Sequence, residues 1–92
     1  MEPNYIEEAR RILEKKSDCH GSLLDLYTLL VFVKGKDVNW KDVHDAWAVW
    51  KNNEVPDHKS LIPYESLTLE VQELDKEYAD AIAETAEELG LK

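Results

Sequence analysis

At 92 residues the chain has single-domain length, and a domain of this size buries only roughly 60–70% of the surface its unfolded form exposes. With 43% apolar and 34% charged residues the composition is that of an ordinary globular domain with a highly charged surface, and a disordered chain is not expected. A net charge of −9 argues against duplex nucleic acid as a partner, because the dense basic cluster Arg10, Arg11, Lys15 and Lys16 is interleaved with Glu7, Glu8 and Glu14.

Tyr5, Ile6, Ala9, Ile12 and Leu13 fall on one face of a helix and predict an amphipathic element over about 4–16. Ser17-Asp18-Cys19-His20-Gly21 is a breaker cluster, after which Ser22 is expected to cap a second helix over about 22–34. That helix is apolar on nearly every side, through Leu23, Leu24, Leu26, Tyr27 and the run Leu29 to Val33, and is expected to be the central core helix. Lys34 followed by Gly35 marks its end.

Asn39 with Asp42 three residues later forms a capping-box pattern for a third helix over about 40–51, whose apolar positions are Trp40, Val43, Trp47 and Trp50. Residues 52–64 lack periodicity and carry Pro56 and Pro63, which predicts an ordered loop. Thr68 is expected to cap a short helical turn over 69–74. Asp75 is expected to cap a last helix over about 76–89, with Tyr78, Ile82, Ala86 and Leu89 as its stripe and Gly90 as its end. The fold class is therefore all-α, a compact bundle of four main helices forming a single domain over residues 1–92.

Charge is unevenly spread along this bundle. From Glu65 onward nine acids face only Lys76 and Lys92, whereas between Lys34 and Lys59 five bases balance five acids. An anionic ligand is tolerated in the middle segment and repelled by the last helix, whose Asp80, Glu84 and Glu87 form a solvated acidic face. Cys19 stands alone, which excludes an intrachain disulfide, and residues 1–4 carry no positive leader. The apolar run Leu29 to Val33 is too short to cross a bilayer. Together these place the protein in the cytoplasm with no membrane partner.

Chemistry-bearing motifs are sparse. Cys19, His20, His44 and His58 show neither C-x-x-C nor H-x-x-x-H spacing, so no metal site and no cofactor is expected. Neighbours on a helix point about 100° apart, so His44 and Asp45 cannot form a catalytic pair with each other. No phosphate-cradling glycine loop or nucleophile motif is present either, which favours a binding protein over an enzyme and leaves no catalytic residue to name.

The strings His44-Asp45-Ala46-Trp47-Ala48 and His58-Lys59-Ser60-Leu61-Ile62-Pro63-Tyr64, then Leu67-Thr68, Asp75-Lys76 and Ala79, resemble in order the repeat domain of ryanodine receptors. About half the chain is covered. The sequence is also similar to small uncharacterised proteins of tailed phages infecting actinobacteria. The receptor family carries a long insertion where this chain has only Asn52 to Asp57, so ligand contacts made through that insertion do not transfer.

The resemblance implies a helical domain that holds a nucleotide-derived molecule, and in a phage setting a protein that sequesters a host defence signal in the host cytoplasm. On the residues themselves, Trp47, Trp50 and Tyr64 offer faces on which an adenine-like base can stack, while Lys51, His58 or Lys59 can meet a phosphate. His44, with Asp45 beside it, is expected to order the following loop by hydrogen bonding. The competing expectation is a protein-interaction module that docks a host or virion protein through its acidic last helix or its tryptophan surface. Under either, an exposed aromatic patch favours a homodimer.

Overall fold

The first helix begins where Asn4, in extended conformation, accepts a hydrogen bond on its side chain from the Glu7 amide at 2.8 Å. Acids at Glu7 and Glu8 and bases at Lys15 and Lys16 complement the dipole of this helix, α1 (Tyr5–Ser17). The computed structural model describes residues 4–91. Residues 1–3 and 92 of the expected 1–92 unit lie outside the described residues.

α2 (Gly21–Val33) starts one residue earlier than its expected cap. Gly21, at a φ of 68°, makes the turn into the helix by backbone freedom, and Ser22 lies inside the first turn instead of capping it. After α2, Gly35 at a φ of 56° opens a 3-10 turn (Gly35–Asp37) that packs against the last helix. The capping box of α3 (Trp40–Glu54) is present in both directions, with the Asp42 amide donating to Asn39 Oδ1 at 2.9 Å and the Asn39 amide to Asp42 Oδ2 at 3.0 Å.

Helix α3 runs to Glu54, three residues into the span expected to be loop. Nothing from Lys51 to Glu54 breaks a helix, and the stop comes from Pro56, which drives Val55 to a φ of −139° and a ψ of 80°. The remaining loop is tied by turns, with His58 donating its amide to the Val55 carbonyl at 3.0 Å and Leu61 to the His58 carbonyl at 3.1 Å. A second 3-10 turn (Tyr64–Ser66) follows and is held to α3 by the Lys41–Glu65 ion pair at 3.2 Å.

Thr68 caps the short helix α4 (Leu69–Glu73), its hydroxyl accepting from the Val71 amide at 3.4 Å. Asp75 occupies the position before α5 (Lys76–Glu88) but its side chain caps nothing. Leu74 and Asp75 both stay in right-handed helical conformation, so α4 bends into α5 without the extended residue that a side-chain cap requires. At the far end Gly90, at a φ of 76°, closes α5. The Gly90 amide reaches the Glu87 carbonyl and the Leu91 amide the Ala86 carbonyl, the paired bonds of a Schellman motif.

The core lies where α1, α2, α3 and α5 meet, around Leu13, Leu24, Tyr27, Val31, Val43 and Ile82, all essentially inaccessible to solvent. Ala79, Ala81 and Ala86 let α5 approach closely. The described residues are all-α, with four main helices as the periodicity indicates. α2 is less enclosed than its composition suggests: Leu29 and Val33 are 56% and 62% exposed, because α1, α3 and α5 cover only three of its sides. No described helix is long and apolar enough to cross a membrane.

Candidate functional site

Between α2, α3, the bend from α4 into α5 and the loop after α3 lies a cleft of about 450 Å³, within the size range of small-molecule sites. Leu23 and Tyr27 come from α2, His44 and Trp47 from α3, His58 and Ser60 from the loop, and Val71, Leu74, Asp75, Glu77 and Tyr78 from the bend. Its lining is mostly apolar and aromatic, with a few polar groups converging on it.

The imidazole of His44 is buried, and its Nε2 donates to the Ile62 carbonyl at 2.8 Å, tying the loop to α3. The ring also lies nearly parallel to the Trp47 indole, centroids 5.8 Å apart at 28°, as residues three apart on a helix can. His58 meets the same indole edge-on at 5.3 Å. His58 Nδ1 accepts the Ser60 amide at 3.0 Å, which places its proton on Nε2. Trp47 is thus held from two sides while it lines the cleft.

Also in the lining, Tyr27 and Tyr78 lie 5.5 Å apart, tilted at 41°. Burial pushes both phenols up, so they stay protonated and act as neutral hydroxyls. Asp75, in the same lining, is desolvated, which pushes its carboxyl up to about 6 against the opposing pull of His44. No described salt bridge or side-chain cap engages this carboxylate. Glu77 adds a second acid, and no lysine or arginine lines the cleft.

Of the residues expected to bind ligand, the fold brings Trp47 and His58 together here. Trp50 is half-buried one turn further along α3, with the Lys51 ammonium over its ring at 5.3 Å, and neither borders the cleft. Tyr64 packs against the far side of His44, centroids 6.3 Å apart, and supports that ring from outside the cleft. Lys59 is exposed, lies between the cleft residues His58 and Ser60 in the chain, and does not itself line the cleft. Asp45 is exposed and makes no described side-chain hydrogen bond to the loop, so His44 does that work alone.

Tyr27, Leu74 and Tyr78 carried no site signal in the sequence, and Asp75 entered only as part of the family resemblance, with no ligand role given to it. Tyr27 and Tyr78 read as core positions and Asp75 as a helix cap. Elsewhere, the Cys19 thiol is buried and pushed up, chiefly by desolvation, with the Ser17 hydroxyl opposing; it is a core group without nucleophilic character. Among the described residues no cluster of His, Cys, Asp or Glu has the geometry of a metal site.

Fold and site together define a small all-helical domain with an aromatic, acid-bearing cleft of ligand size between α2, α3 and the α4–α5 bend. The chain belongs to the family described as domain of unknown function (DUF7701), whose profile matches residues 4–87. No curated protein and no solved structure matches it.

Proposed function

We propose that the protein is a non-catalytic binding module in which the cleft captures a nucleotide-derived small molecule, with the base inside against Trp47 and the phosphate or sugar portion at the mouth. One observation carries this reading: an aromatic cleft of about 450 Å³ in which Trp47 is held in place by His44 and His58. A pre-oriented indole stacks on a planar ring with little further loss of freedom. The acids of the lining disfavour phosphate inside the cleft, which supports assigning it to Lys59, the exposed cation between His58 and Ser60 in the chain. The resemblance to the ryanodine receptor repeat and to small phage proteins supports the same ligand class. It also supports a role in the host cytoplasm as a sink for a defence signal.

Thermal-shift and calorimetric titration against nucleosides, cyclic dinucleotides and ADP-ribose test the reading. Saturable binding at or below the millimolar range by one member, weakened by Trp47→Leu, is expected. Absence of binding across the panel overturns it.

A second reading is favoured by the exposed apolar stretch of Leu29, Val33 and Val49 on α2 and α3, which suits contact with a host or virion protein or pairing of two copies. Light scattering at micromolar concentration distinguishes monomer from dimer, and Leu29→Glu should abolish pairing through this face.

A further inference from the structure

We infer that the cleft selects a base presenting two adjacent N–H donors, a guanine-type edge, and that Asp75 is the residue that reads it. The inference rests on the small-molecule reading above and narrows it. Four observations converge.

First, the charged groups of the lining are acids only, Asp75 and Glu77, with no lysine or arginine. An ionised carboxylate is acceptor-only, and its two oxygens match a pair of parallel N–H donors. Second, the Asp75 side chain is left free by the fold itself. The continuous helical backbone through Leu74 and Asp75 removes the capping role, and no described cation pairs with it. Third, the nearby imidazoles are already engaged, His44 Nε2 on the Ile62 carbonyl and His58 Nδ1 on the Ser60 amide. Of the polar groups left over, Asp75 and Glu77 only accept. The Tyr78 hydroxyl and the Nε2–H of His58 make no described hydrogen bond and can donate to a neighbouring carbonyl oxygen. Fourth, Trp47, Tyr27 and Tyr78 belong to the same lining as Asp75, so a planar base held against an aromatic face there lies within the lining that carries the carboxylate.

Guanine offers N1–H and the N2 amine side by side with O6 beyond them, which fits this order of acceptor and donor. Adenine places the N1 lone pair where guanine has N1–H, so an ionised Asp75 repels it while gaining only one bond from the N6 amine. A bidentate carboxylate contact of this kind discriminates by roughly 10- to 100-fold.

The test is calorimetric titration of the full chain at pH 7.5 with guanosine, inosine and adenosine, repeated on Asp75→Asn after its helicity is checked by circular dichroism. Guanosine is expected to bind at least tenfold tighter than adenosine, with inosine, which lacks the N2 amine, between them. Asp75→Asn should erase the guanosine preference while retaining adenosine binding. Adenosine binding as tightly as guanosine to the unmodified protein, or a guanosine preference that survives Asp75→Asn, overturns the inference and leaves the binding-module reading intact. Failure of all three nucleosides to bind, together with the rest of the panel, overturns both.

Discussion

Replacing Asp75 by asparagine should make the protein more stable at neutral pH and leave it unchanged in acid. The carboxyl is pushed up to about 6 by desolvation, against a normal value of 3.8. Fully counted, a difference of that size corresponds to about 3 kcal/mol. Asp75 is only partly buried in the cleft lining, and solvent screening reduces the expected effect to about 1 kcal/mol. The sign follows from proton linkage. Between pH 4 and pH 6 the folded state binds the Asp75 proton and the unfolded state does not, so stability falls as pH rises through that window and is flat above it. Below pH 4 both states are protonated, and aspartate and asparagine are near equivalent in size and neutrality. Urea unfolding followed by circular dichroism at pH 4 and pH 7.5 measures the difference. Titration of all other groups cancels between the two proteins. Asp75→Asn should gain about 1 kcal/mol at pH 7.5, equivalent to a Tm rise of about 4–8 °C for a domain of this size. At pH 4 the gain should be near zero. A variant less stable at pH 7.5, or one whose advantage is the same at both pH values, refutes the desolvated-carboxylate argument.

Other expectations follow from individual contacts. Leu24 is completely buried at the meeting of the helices, so Leu24→Ala should cost about 2–5 kcal/mol in urea unfolding; a cost under 1 kcal/mol would mean that the core is not packed as described. His44→Ala removes both the tie to the Ile62 carbonyl and the stack beneath Trp47. Hydrogen exchange at the amides of Ser60 and Leu61 should accelerate well beyond that in α5, and uniform acceleration across the chain would show that the imidazole acts only through global stability. Trp47→Leu should weaken guanosine binding by roughly 10- to 100-fold, as expected for the loss of one base stack. Trp50→Leu, outside the cleft, should change it less than threefold, and the reverse order would move the site one turn along α3, out of the cleft.

The helices of this protein, and most of their ends, are determined by local sequence. Spacing at three and four residues places α1, α3 and α5, and Asn39 with Asp42, Thr68 and Gly90 set boundaries through hydrogen bonds that span only a few residues. Ser22 and Asp75 have the same capping chemistry on paper and do not use it. Gly21 makes the turn before Ser22, and the backbone at Asp75 is already helical. Those outcomes depend on how the chain is bent by its packing, which residue type does not encode. The site divides in the same way. Trp47 and His58 are visible as aromatic and imidazole groups in recognisable strings, and His44 as the residue that holds the loop. Tyr27, Asp75 and Tyr78 join them only because α2 and α5 pack side by side and the bend at Leu74 turns a carboxylate without a partner into the space between. Sequence alone therefore determined an acidic, four-helix all-α domain with an aromatic segment after residue 43. Tertiary packing decided which of its aromatics border a cleft and which acid faces them, because a cleft is a relation between residues dozens of positions apart.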